Sequence, residues 1–188
     1  NRCFRTAQDL EEYCGLPVLG QVPIIPEQDR KQLLSFLADH PASDSAEALR
    51  NLRTSTFLSN VDEPPQVIVL TSPMPGEGKT TISLAFAQTL SGLGKKVLLI
   101  EGDVRRRMFH HYLEDLPSAG LISQLLGTSS LDNAICSLAG FAPDLLIAER
   151  VSTNAADLFS SAKFRDTIAE LRNRYDVIVI DTPPVLAV

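Results

Sequence analysis

The sequence has no basic excess, no paired cysteines, no long apolar run and no internal repeats, and each absence removes a class of protein. Lysine and arginine number 17 against 23 aspartates and glutamates, a formal net charge of −6, whereas a nucleic-acid surface is usually basic. Cys3, Cys14 and Cys136 are scattered, with no C-x-x-C pair. That pattern fits reduced thiols in a cytosolic protein better than a disulfide framework or a zinc site. No apolar stretch approaches the roughly 18 residues of a membrane span, and no signal-peptide pattern occurs. The G-x-G-x-x-G fingerprint of dinucleotide oxidoreductases is missing as well. What remains is a chain of 188 residues, 44% hydrophobic and 21% charged, ordinary for a globular protein and suited to one α/β domain with a short appendage. It starts at Asn1 rather than Met and stops seven residues after Asp181, so both ends are expected to be cuts in a longer polypeptide.

Residues 1 to about 40 read as a lead-in. A short helix is expected over Ala7–Tyr13, an extended piece over Leu16–Pro23 and a second helix over Arg30–Asp39. A longer helix is expected from Ser43 or Ser45, carrying Ala46, Leu49, Leu52 and Thr56/Phe57 at helical spacing. Beyond Pro64-Pro65, apolar runs at Val67–Leu70, Val97–Ile100, Leu145–Ala148 and Val177–Ile180 read as strands. Helices are expected between them at Thr80–Leu93, Gly120–Leu126, Leu131–Ser137, Ala155–Phe159 and Ala162–Arg174. Near-continuous aliphatic strands alternating with helices predict a doubly wound, mainly parallel α/β sheet with helices on both faces. Ligands of such sheets bind at the carboxyl ends of the strands.

The most informative segment, S-P-M-P-G-E-G-K-T-T at Ser72–Thr81, lies between the first strand and a helix. Gly76 and Gly78 allow a tight backbone whose N–H groups point at phosphate oxygens, and the helix start adds partial positive charge. Lys79 can reach the β- and γ-phosphates and the Thr80 hydroxyl can ligate Mg²⁺. The general P-loop pattern has glycine where this chain has Pro73, which makes the loop a variant. Chemistry on ATP also requires acidic residues. Glu101 and Asp103 close the second strand two residues apart, on one side of an extended chain, and Asp181 follows four aliphatics as a second metal carboxylate.

These motifs resemble those of the bacterial tyrosine kinases, the cytoplasmic halves of capsular or exopolysaccharide copolymerases. The matching patterns are S-x-x-P-G-E-G-K-T at Ser72–Thr80, aliphatics-[DE]-x-D-x-R at Leu98–Arg105 and aliphatics-D-T-P-P ending at Pro184. Asp9-Leu10-Glu11 and Leu16–Pro23 resemble the stretch between that family's membrane anchor and its kinase core, and the likeness covers nearly the whole chain. The resemblance implies ATP and Mg²⁺ as cofactors. Pro75, Gly76, Glu77, Gly78, Lys79, Thr80 and Thr81 would bind ATP, and Thr80, Asp103 and Asp181 would serve the metal. Glu101, where the family often has Asp, would help activate the tyrosine hydroxyl, and Arg105 would favour the transferring phosphoryl charge or an acidic partner. Met108 stands where many members have proline.

The resemblance further implies residues 1–40 as a linker from a membrane anchor and 41–188 as a kinase core truncated at its C-terminus. The phosphoacceptor would be the protein's own C-terminal tyrosine tail, presented in trans at the cytoplasmic face of the bacterial inner membrane. Glu47, Arg50 and Arg53, an E-x-x-R-x-x-R stripe on one helix, would lie at the interface of a ring-like homo-oligomer. By themselves they read as an exposed helix with Glu47–Arg50 pairing. Two other readings stand beside the kinase. A nucleotide-switch ATPase of the partition or division-site type shares the P-loop class but carries K-G-G-x-G-K-T, and Met74 occupies the lysine position here. A non-catalytic ATP-binding regulatory module is the third. His110-His111 lacks a third ligand at suitable spacing, and Tyr13, Tyr112 and Tyr175 are too dispersed for an acceptor cluster.

Overall fold

The computed structural model describes residues 6–150 and 155–187, so Cys3 lies outside the described residues. Its centre is a five-stranded sheet of β1 (Val67–Leu70), β2 (Val97–Glu101), β3 (Ile135–Leu138), β4 (Phe141–Leu146) and β5 (Val177–Asp181), in the order β1-β5-β2-β4-β3. β1, β5, β2 and β4 run parallel, and β3 returns antiparallel at the edge.

Apart from β1, whose Val69 is exposed at the sheet edge, the aliphatic runs form strands because both of their faces are covered. Val97, Leu99, Val177, Val179 and Leu145 point into one cluster with Leu84, Phe86 and Leu90. Leu98, Ile100, Ile178, Ile180 and Leu146 point into the other with Leu121, Leu125 and Leu171. The period of two in side-chain direction thus divides each run between two cores. Helix α4 (Lys79–Ser91) supplies the first face, backed by α2 (Arg30–Asp39) and α3 (Asp44–Leu58). The second face is covered by α5 (Leu121–Leu125), α6 (Leu131–Ala134), α7 (Ala155–Ser160) and α8 (Ala162–Arg172). Ser43, Ser130 and Ser161 cap α3, α6 and α8 through their hydroxyls.

The lead-in does not stand apart from this core. Its first helix, α1 (Ala7–Cys14), begins with a Thr6–Asp9 capping box and buries no residue. Ile25 and Leu33, in contrast, are buried in the same cluster as α4.

Two expectations need correction. The helix expected over Leu131–Ser137 ends at Ala134, and Ile135–Leu138 is strand β3. A two-residue connection, Ala139-Gly140, with Gly140 at φ 80°, folds it back onto β4. The strand expected at Leu145–Ala148 begins at Phe141 and ends at Leu146. Pro143 falls at an irregularity of the β3–β4 pairing, where a missing N–H is tolerated. Ala148 and Glu149 have already left the sheet. The Ala148 amide donates to Glu101, and the Glu149 carboxylate accepts from the Gly120, Ile122 and Ser123 amides around the start of α5.

Candidate active site

The carboxyl ends of β1, β2 and β5 converge on the first turn of α4. Between β1 and α4 the loop turns through Gly76 and Gly78 at φ 87° and 83°, a region costly for side chains with a Cβ. Glu77 closes the loop on itself, its Oε2 accepting the Met74 amide at 3.0 Å. Gly78 is the N-cap of α4 and provides no side chain to satisfy the amides of the first turn. These amides and the helix dipole form an anion-binding end. Residues 182–186 are zipped to the entrance of the loop. Thr182 donates its amide to Leu70 O at 3.0 Å, Val185 to Ser72 O at 2.9 Å and Leu186 to Pro73 O at 3.1 Å.

Beneath the loop the acidic strand ends meet it. Lys79 Nζ lies 3.4 Å from Asp103 Oδ2, 3.5 Å from Asp181 Oδ1 and 3.3 Å from Thr80 Oγ1. Thr80 donates its hydroxyl to Asp181 Oδ2 at 2.8 Å, and Ser83 donates to Asp181 Oδ1 at 3.1 Å. Asp103 and Asp181 are 1% and 0% exposed, so the two carboxyl groups are held by the protein rather than by water. Burial holds the Asp181 carboxyl above the usual carboxylate range, against the downward pull of Lys79, Thr80 and Ser83. Ser83 carries no motif signal. It is one helical turn beyond Lys79, and its only sequence clue is that i, i+4 spacing.

Glu101 faces elsewhere. Its Oε1 accepts the Phe109 amide at 2.8 Å and its Oε2 accepts the Ala148 amide at 3.1 Å. Burial raises the group to about 7, with the two amides and Arg107 opposing that rise and Asp181 adding to it. Its bonds tie the turn after β2 to the exit of β4 rather than joining Lys79 and Thr80. Gly102, next in the chain, donates its amide to Asp181 O at 2.7 Å, and a Cβ there would meet that oxygen at 2.9 Å. Arg105 is exposed.

An open cleft of about 600 Å³ runs along the loop, lined by Pro75, Gly76, Glu77, Gly78, Lys79, Thr80 and Thr81. Its other walls are Val22–Ile25 and Arg30 of the lead-in, and Arg106, Met108 and Tyr112 of the turn after β2. The lead-in and Tyr112 were not legible as cleft walls, because nothing local in their sequence marks them. Glu47, Arg50 and Arg53 lie away from the cleft on α3. Arg50 Nη1 donates to Pro41 O at 2.7 Å and Arg53 Nη1 to Thr89 O at 3.0 Å. No Glu47–Arg50 ion pair forms among the described residues.

Among the described residues, no cluster of three or more His, Cys, Asp or Glu side chains is arranged to hold a metal. Thr80, Asp103 and Asp181 instead offer a small, oxygen-only donor set facing a single ammonium. That set suits Mg²⁺, which takes few protein ligands and completes its shell with water and phosphate. No helix among the described residues is long and apolar enough to cross a membrane.

Residues 65–188 match the AAA domain family AAA_31. The putative tyrosine-protein kinase EpsB of Ralstonia solanacearum is 33% identical over 190 residues, covering 96% of this chain and 25% of the relative. The chain therefore spans about a quarter of that protein's length. Among solved structures, the BceF tyrosine kinase domain is 32% identical with a TM-score of 0.83, over 96% of this chain and 77% of that one. The kinase domain of the Escherichia coli tyrosine kinase ETK has a TM-score of 0.88 at 29% identity, over 97% and 75% of the two chains. The septum site-determining protein MinD of Pyrococcus horikoshii, solved with Mg-ADP, is a more distant likeness. It reaches a TM-score of 0.51 at 25% identity, over 63% of this chain and 49% of that one. With a P-loop at the carboxyl edge of a mainly parallel sheet, and with acidic strand ends closing on its lysine, this chain belongs to the bacterial tyrosine-protein kinase family.

Proposed function

We propose that the chain is the ATP-binding core of a tyrosine kinase that phosphorylates its own C-terminal tail in trans and so regulates capsular or exopolysaccharide synthesis and export. The observation that carries this reading is the Lys79 ammonium, held between Asp103 and Asp181 beside the Thr80 hydroxyl and under the uncapped start of α4. A lysine held by side chains alone can exchange those partners for phosphate oxygens. The loop amides from Gly76 to Thr81 would cradle the phosphates, and Thr80, Asp103 and Asp181 would hold Mg²⁺. The metal, when bound, would offset charge on the phosphate oxygens. The likeness to a protein solved with Mg-ADP supports an adenine nucleotide bound together with Mg²⁺.

In this reading Arg105, exposed two residues after Asp103, meets the phosphoryl charge or an acidic acceptor. Glu101 acts as an architectural carboxylate, because both of its oxygens already accept backbone amides. Residues 41–188 form the core, and residues 1–40 connect it to a membrane copolymerase segment at the cytoplasmic face of the inner membrane. Glu47, Arg50 and Arg53 form a homo-oligomer contact that brings a neighbour's tail to the cleft. The test is incubation with ATP, Mg²⁺ and a synthetic Glu/Tyr copolymer, with detection of phosphotyrosine. Wild type should label the copolymer and Lys79→Met should not. Phosphate release without phosphotyrosine would favour the nucleotide-switch ATPase, and binding with neither would favour the regulatory module.

A further inference from the structure

The Tyr112 hydroxyl lies 2.7 Å from Thr81 Oγ1, and both residues line the cleft. Thr81 is the third residue of α4, directly after the lysine and threonine of the loop. A threonine there divides its rotamers, because its hydroxyl can turn back onto a carbonyl of the preceding turn. Here the hydroxyl is held by Tyr112 instead. Tyr112 is itself immobilised. The residue is 7% exposed in the main core cluster, the Arg30 guanidinium stands 5.7 Å from its ring centroid, and its amide donates to Phe109 O at 2.9 Å. Phe109 is fully buried and tied by its own amide to Glu101. One rigid path therefore runs from the end of β2, through the turn over residues 107–112, to the first turn of α4.

We propose that Tyr112 is a nucleotide-positioning residue, fixing the Thr81 hydroxyl in one orientation at the cleft that takes the nucleotide. Whichever of the two hydroxyls donates, the bond removes a rotational freedom that Thr81 would otherwise lose on binding. The inference rests on the ATP-binding reading above. Its test is titration with a fluorescent ADP analogue and Mg²⁺. The proteins compared are wild type, Lys79→Met, Tyr112→Phe, Thr81→Val, Thr81→Ser and the Tyr112→Phe/Thr81→Val double variant, with thermal midpoints measured for each. Loss of one such hydrogen bond should raise Kd by roughly three- to tenfold in Tyr112→Phe and in Thr81→Val. The double variant should be no weaker than either single variant, and Thr81→Ser, which keeps the hydroxyl, should recover affinity.

Failure of wild type to bind would overturn the nucleotide reading and this inference together. Binding that is lost in Lys79→Met but unchanged in Tyr112→Phe would overturn the inference alone. So would a lowered thermal midpoint with Kd unchanged, which marks a purely structural role. If Tyr112→Phe does not fold, the Thr81→Val and Thr81→Ser pair decides: equal affinities would overturn the inference.

Discussion

The ends of β2 and β5 lie side by side in register, Glu101 beside Asp181, and both carboxyl groups are buried, yet they are satisfied by different kinds of partner. Asp181 meets the side chains of Thr80, Ser83 and Lys79. Glu101 meets the backbone amides of Phe109 and Ala148. Side chains can trade a carboxylate for a phosphate or a metal by changing rotamer. Backbone amides cannot leave without moving a turn and a strand exit. On the function proposed above, the β5 end would exchange its partners and the β2 carboxylate would fix the frame around it, although a sequence pattern reads both as acidic strand ends.

The largest effect that would sharpen this contrast is on catalysis. Asp181→Asn should lower phosphotyrosine formation by about a hundred- to a thousandfold, while the thermal midpoint moves by only a few degrees, because the amide oxygen can still accept from one of the Thr80 and Ser83 hydroxyls and its NH2 can donate to the other. Glu101→Ala should act mainly on stability. It leaves two buried amides unpaired and should cost about 1–3 kcal/mol, readable as a lower denaturant midpoint at unchanged slope.

A smaller effect separates the two ends by pH. Folding raises Glu101 from an ordinary 4.5 to about 7, so between those values the folded chain binds more protons than the unfolded one. Stability from this group is therefore largest at acid pH and falls as pH rises through that window, by on the order of 1–3 kcal/mol. The thermal midpoint should drop between pH 5 and pH 8, and Glu101→Gln should flatten that drop. Burial shifts Asp181 in the same direction, so the flattening is expected to be partial.

The smallest effect on stability is expected far from both strand ends. Arg50→Ala with Arg53→Ala removes two hydrogen bonds to carbonyls on a half-buried face, costing about 1 kcal/mol each or less. If α3 forms the subunit contact proposed here, light scattering should nonetheless show a smaller assembly. An unchanged assembly would remove that contact.

The same contrast explains what could be read in advance. β1, β2 and β5 were legible because each carries four aliphatics in a row, although only β2 and β5 bury both faces and Val69 of the edge strand β1 is exposed. The meeting of the loop with Asp103 and Asp181 was legible because both aspartates sit in short patterns at strand ends, and the structure brings them to Lys79. β3 and the start of β4 were not, since Ile135–Leu138 is a short apolar run that fits either periodicity and Pro143 reads as a strand breaker. The partners of Glu101 are backbone groups 8 and 47 residues away, Ser83 reaches Asp181 over 98, and Tyr112 reaches Thr81 over 31. None of these contacts leaves a local pattern, so only the folded chain assigns them.

The most direct test of the difference between the two strand ends is ATP-dependent phosphotyrosine formation by Asp181→Asn and Glu101→Gln, assayed side by side on folded protein. The prediction is that Asp181→Asn loses activity at least about a hundredfold, while Glu101→Gln stays within about tenfold of wild type. Loss of activity in Glu101→Gln with an unchanged thermal midpoint, alongside an active Asp181→Asn, would contradict it.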